Sequence, residues 1–341
     1  MTIDQAPAET RQDGWPSVPP QSGRATRLPN VVTLVLVGLV AAAALRPVAA
    51  DLLGRAAVGN WVTVFQAVFL QAVPFLVLGV ILSGAVTAFV PAGAFDTLAR
   101  LSPRAAVPTA ALGGVLLPGC ECGAVPLAGR LVERGVKPAV ALAFLLASPA
   151  INPVVLVATG VAFPGRPEMV VARFVASVLA ATVVGWLWLR IGRDAWMKPP
   201  RSTRRVEATR TQLFLSTALH DFGHAGGYLV LGGATAATLQ TVIPKSALDG
   251  LASNVVVAVI SLAILAVLLA ICSEADAFVA AGLVRFPLVS RLVFLTVGPM
   301  VDVKLISLQR GVFGARFAAR FAPLTFVCAT ASACVIGAVM L

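Results

Sequence analysis

The segment LPGCECGAVP, Leu117 to Pro126, interrupts an apolar stretch with two cysteines, a glutamate, two prolines and two glycines. Runs of Ala, Val and Leu lie on either side. Hydrocarbon penalises unsatisfied backbone groups and unpaired charge, so a polar break at that depth marks a site. Pro118, Gly119 and Gly123 prevent a continuous helix and expose backbone amides and carbonyls around Cys120, Glu121 and Cys122.

Composition sets the class of protein around this break. The chain is 58% hydrophobic and 12% charged, with mean hydropathy +0.92, against an apolar share of about 45–50% in soluble domains. An all-α polytopic membrane protein follows. Spans of about 20 apolar residues are expected at 31–50, 62–90, 139–160, 169–189, 214–243, 286–309 and 317–341, with shorter apolar segments at 105–118 and 254–271. Residues 1–30 have the composition of a disordered cytoplasmic tail and lack the pattern of a signal peptide. Residues 31–50 are expected to add an N-terminal transmembrane helix, and 190–212 form a basic cytoplasmic linker. The net charge of +11 fits orientation in a membrane, and no basic module with interleaved aromatics points to nucleic acid.

The linker divides two similar halves, 60–189 and 213–341. Phe75-Leu-Val-Leu-Gly79 matches Tyr228-Leu-Val-Leu-Gly232, Pro91 matches Pro244, Asp96 matches Asp249 and Glu121 matches Glu274, all at a separation of 153. At a separation of 150, SPAINP (Ser148 to Pro153) matches GPMVDV (Gly298 to Val303), placing Asn152 on Asp302. Charge selects the arrangement of the copies. If segments 105–129 and 254–283 enter and return on one side, each half crosses three times and the copies are inverted. The cytoplasm then holds most Arg and Lys residues, as the positive-inside rule requires, leaving Arg55, Arg166, Lys245, Arg285 and Arg291 outside. Inverted repeats with broken or re-entrant helices meeting near the midplane are a recurrent transporter design.

The candidate translocation residues lie at four breaks: Cys120, Glu121 and Cys122; Ser148 and Asn152; Glu274 and Asp276; and Asp302. Two thiols flanking a carboxylate suit a soft, thiophilic species such as Cu(I), Zn(II) or trivalent arsenic, making Cys120 and Cys122 the metal-ligating candidates. Glu121 and Glu274 become pseudo-symmetric carboxylates able to carry a proton or bind a cation. Lys304, two residues after Asp302, is placed to neutralise it. His220 and His224 share a helix face around Asp221 and could hold a metal. Cys328 and Cys334 lack polar company and are expected to pack, while Trp186, Trp188 and Trp196 resemble an interfacial belt.

The stretch PGCECGAVPLAGRLVERGVKPAVALAFLLASPAINP, Pro118 to Pro153, resembles the signature of the bacterial predicted permeases that include the organoarsenical efflux permeases (ArsP type) and YraQ. The resemblance extends more weakly over 60–341 and implies a multi-span permease of the bacterial inner membrane. Family members commonly carry serine between the cysteines; Glu121 departs from this and favours a cation or a proton-coupled cycle over a neutral organoarsenical. The expected function is therefore a secondary transporter, working in efflux on a soft metal, metalloid or organoarsenical-type solute, with an N-terminus in the cytoplasm. The alternatives are an intramembrane thiol-disulfide oxidoreductase using Cys120 and Cys122, or a passive channel. The first usually has C-x-x-C spacing, and no Walker A, Rossmann, HExxH or nucleophile-elbow motif is present. An enzyme is not expected, nor a cofactor. The partners are a small solute or ion and the lipid bilayer, with a homo-oligomer left open.

Overall fold

The computed structural model describes residues 55–89, 101–117, 120–193, 196–197, 209–242 and 254–341. The tail at 1–30, the helix expected at 31–50, Pro91, Asp96, Pro118, Gly119, Pro244, Asp249 and most of the 190–212 linker lie outside the described residues. The rest is helical: α1 Arg55–Phe89, α2 Pro103–Gly113 continued by a 3-10 turn Gly114–Leu116, α3 Glu121–Glu133, α4 Pro138–Ile151, α5 Pro153–Ala162 and α6 Pro167–Ile191. There follow α7 Arg210–Val242, α8 Val255–Leu269, α9 Asp276–Gly282, α10 Leu288–Val297, α11 Val303–Val312 and α12 Ala315–Met340. The segments Val58–Phe89, Pro138–Ala162, Pro167–Ile191 and Ala315–Met340 are each long and apolar enough to cross a membrane.

Proline writes much of this punctuation. Pro103, Pro138, Pro153 and Pro167 each open a helix, where the missing N–H is an orphan in any case. Pro153 also forces Asn152 into an extended conformation, ψ 155°, which breaks the span expected at 139–160 into α4 and α5. The span expected at 286–309 breaks likewise, through the turn Gly298–Val301 between α10 and α11. Ala270 ends α8 with φ 47°; a left-handed alanine costs about 1 kcal/mol and turns the chain toward Cys272.

Contacts reveal the direction of each helix. At the start of α2, the Trp186 indole on α6 donates to the Arg104 carbonyl at 2.9 Å, and Gly185 lies against Val107 and the Ala139 backbone. At the inner end of this arm, Gly114 abuts the Ser148 backbone near the end of α4. α3 starts at Glu121 and returns toward the short turn that opens α4. With 11 and 13 residues, α2 and α3 reach about 17 and 20 Å, short of a core of about 30 Å. They make a hairpin-like pair of arms, packed on α4 rather than on each other, whose outer ends lie at the end of the bundle bearing Arg104, Arg130 and Lys137.

The second hairpin opens at the other end. α8 packs along α10, and Gly298 at the inner end of α10 meets Ala266 near the end of α8. The start of α10 lies at the far end of α12, where Val289 contacts Gly337. α9, which follows the Cys272–Ala275 turn, therefore runs outward to that same end. α1 and α7 pack against each other along their lengths, with α1 on α3 and α7 on α11. Basic residues collect at the first end: Arg104, Arg130, Arg134, Lys137, Arg310, Arg316 and Arg320. Trp188 is not in an interfacial belt; it is buried against Trp196, Phe317 and Phe321, while Trp186 is exposed.

α1 touches α3 backbone to backbone. A Cβ on Gly79 would lie 2.2 Å from the Gly123 Cα, so only glycine permits this approach, as at other small-residue crossings in membranes. Gly79→Ala should destabilise the protein by about 1–3 kcal/mol, read as a lowered thermal midpoint in detergent. Gly59→Ala, with nothing within 4 Å of the new Cβ, should leave the midpoint unchanged or raise it.

Candidate functional site

Four half-helices, α3, α5, α9 and α11, start near the centre of the bundle, and each carries a polar residue at its first positions. Glu121 is the first residue of α3 and Asp276 the first of α9. Asn152 caps α5, accepting from the Val155 amide at 3.0 Å. Asp302 caps α11, accepting from the Leu305 amide at 2.5 Å. Helix N-termini favour negative charge, which partly offsets the cost of holding carboxylates away from water.

Two buried cations add to that compensation. Lys304, 1% exposed, places Nζ 2.5 Å from Glu121 Oε1 and 3.9 Å from Asp302 Oδ2. Lys304 thus lies within ion-pair reach of Asp302, the residue it is placed to neutralise, with Glu121 as a second and closer partner. Asp302 is occupied in capping, and residues two apart on a helix do not share a face, so Lys304 projects toward α3. Gly232 makes room for it, since a Cβ there would lie 2.8 Å from the Lys304 Cα.

The second cation is Arg173 in α6, 0% exposed. Its guanidinium donates to both oxygens of Asp276, at 2.9 and 2.8 Å, to Thr159 Oγ1 at 2.9 Å and to the Ser273 carbonyl at 3.3 Å. Asp276, a translocation candidate on sequence, is held in a bidentate ion pair. The sequence reading passed over Arg173, although a lone arginine inside the apolar run PEMVVARFVASV is itself a signal in a membrane span.

Cys120, Glu121 and Cys272 come together, with one donor atom from each within 4.8 Å of the others. Cys120 is the extended residue before α3, at ψ 176°, and its thiol neighbours those of both Cys122 and Cys272. The structure thus adds a third sulfur from the other half of the chain. The five cysteines are free thiols; Cys328 is buried in the apolar core and Cys334 packs against it half-buried. Glu274 stands beside Cys272 with neither carboxylate oxygen in a well-formed hydrogen bond. The Ser148 hydroxyl is also buried without a hydrogen-bond partner.

A cavity of about 100 Å³ opens at the basic end between α3, α7 and α11, lined by residues including Arg130, Glu133, His220, Asp221 and His224. Arg130 bridges Asp221 and Glu133, and Asp221 also accepts from the Ser83 hydroxyl at 2.6 Å. One turn deeper on α7, Tyr228 stacks on His224 with ring centroids 5.4 Å apart and rests against Gly311. No group of three potential metal ligands among the described residues includes His220 or His224.

The model of a family described as a predicted permease matches residues 57–338. The chain is 34% identical over 265 residues to the UPF0718 protein YcgR of Bacillus subtilis, covering 75% of this chain and 89% of that protein. It is 30% identical over 269 residues, 76% of this chain and 88% of the other, to a Streptococcus mutans protein named as a proposed subunit of a two-component membrane permease complex. No solved structure matches it. The chain belongs to the predicted permease family and is a multi-pass membrane permease rather than an enzyme.

Removing one partner of a buried ion pair strands the other charge, at about 3–5 kcal/mol, whereas removing both is far less costly. Glu121→Gln and Lys304→Met should each lower the thermal midpoint in detergent, and the double variant should recover most of the loss. Additive losses would show that the pair is not coupled.

Proposed function

We propose that this permease is a secondary transporter that exports a soft cationic solute, a metal or metalloid species, across the inner membrane of a bacterium. One observation carries the reading. Glu121, Asp276 and Asp302 are buried at the centre with Glu274 half-buried beside them, and the cations they face among the described residues are Lys304 and Arg173. Four carboxylates against two cations leave the site two positive charges short, a demand that a cation or protons can meet.

The positive-inside rule assigns the basic end to the cytoplasm, together with the N-terminus. The cavity beside Arg130 then becomes an inward vestibule, and a cargo loading from it travels outward, which is the support for export. The two halves are taken as inverted copies, in line with the paired motifs at 153 and 150 residues and with hairpins that open at opposite ends. Rocking of such halves would expose the centre to one side at a time. The naming of the Streptococcus relative as a subunit supports a second component for this permease as well.

A passive channel is the competing reading, and coupling separates the two. In vesicles containing the chain, flux of zinc, cadmium, copper(I) or a trivalent arsenical should saturate and should follow an imposed pH gradient. Glu121→Gln and Glu274→Gln should each reduce that flux at least tenfold while the protein elutes as wild type, about the effect of losing one positioned acid-base group. Full-rate, gradient-independent flux in the double Gln variant would overturn the coupled reading.

A further inference from the structure

We infer that Cys120 and Glu121 from the first half and Cys272 from the second form one binding site for a thiophilic divalent cation of the zinc and cadmium class, with Lys304 as its tethered counter-charge. This rests on the transport reading above and names the class of its cargo.

The donor geometry comes first. A tetrahedral zinc ion takes sulfur at about 2.3 Å and carboxylate oxygen at about 2.0–2.2 Å, so its donors stand about 3.4–3.8 Å apart. Cys120, Glu121 and Cys272 already hold theirs within 4.8 Å of one another. Closing that difference needs a rotamer adjustment, not a refolded backbone. Glu121 meets Lys304 through Oε1, while Oε2 is buried and has no hydrogen-bond partner. That second oxygen can coordinate an ion while the first keeps the ammonium.

Charge then selects the ion. Two thiolates and the Glu121 carboxylate supply three negative charges, which Lys304 and a divalent ion balance; with Asp276 paired to Arg173, Asp302 and Glu274 are the carboxylates left for protons. Cu(I) leaves that balance one charge short, and the sulfur donors disfavour magnesium and calcium. As the ion binds, each thiol gives up its proton to water, so the dication enters as two protons leave. Three protein donors leave one coordination position open, which suits an ion that must also depart.

The ligands are divided between the two hairpins. Cys120 and Glu121 ride on the hairpin that opens at the basic end, and Cys272 lies on the turn before α9, which opens at the other. Separation of the hairpins therefore dismantles the site, so movement and release become one event.

The test is binding to the purified full chain in detergent, measured without transport. Cadmium should bind one per chain with an ultraviolet thiolate-to-metal charge-transfer band, competed by zinc and not by magnesium or calcium. Cys120→Ser and Cys272→Ser should each abolish the band and weaken binding at least about 100-fold, beyond the 10- to 100-fold cost of outer-shell changes; Cys328→Ser should do neither. If a variant fails to fold, the wild-type chain still decides: cadmium should protect both Cys120 and Cys272 from alkylation in the same molecules. Absence of the band, binding unchanged in Cys272→Ser, or protection of Cys120 and Cys122 without Cys272 would each overturn the site. Gradient-driven flux of another solute by a chain that binds no cadmium would sink this site and leave the transporter standing. Cadmium binding with no flux of any solute would do the reverse.

Discussion

Charge held away from water constrains this molecule more than any other feature. Glu121, Asp276, Asp302, Lys304 and Arg173 are each 2% exposed or less, and isolated charges at that depth cost at least about 2.5–3.5 kcal/mol each. Breaking the helices is one way to lower that cost. Each of the four half-helices beginning at the centre directs its N-terminal dipole at a polar side chain, so the interruptions and the acids are two parts of one solution. The close approaches follow from the same need. Gly79 on Gly123, Gly114 on Ser148 and Gly232 on Lys304 bring the broken segments near enough for a lysine on α11 to reach a glutamate on α3.

Much of this was legible in the sequence because the hydrocarbon environment makes polar residues conspicuous. The helical class followed from composition, and the breaks at Cys120 and Asn152 from proline, glycine and polar residues inside apolar runs. What escaped was pairing. Nothing in the spacing of Lys304 and Asp302 shows that the ammonium prefers Glu121, which is 183 positions away along the chain, because that choice depends on which face of α11 meets α3. Cys272 was passed over for a related reason. Aligned against the first half, it falls opposite Gly119 rather than a cysteine, and only the left-handed turn at Ala270 brings its thiol to Cys120. Arg173 was discoverable in sequence as a charge inside a span; its bidentate partner was not.

The two buried ion pairs differ in a way that bears on their roles. Arg173 engages both oxygens of Asp276 and adds contacts to Thr159 and the Ser273 carbonyl. A planar guanidinium used in this way is directional and always charged, so α6, α5 and α9 are joined at a fixed point. Lys304 offers a point charge on a flexible stem, touches one oxygen of Glu121 and leaves the other oxygen, along with Asp302 Oδ2, without a hydrogen bond. An ammonium can shift within such a cluster at little geometric cost, whereas a forked arginine cannot. The thiols of Cys120 and Cys272 gather around the loosely held pair, and the tightly held pair lies on the turn just beyond. Rigidity on one side of the centre and exchangeable charge on the other suits the proposed carrier, because a site that grips its own residues everywhere has no means of taking up a cargo and letting it go.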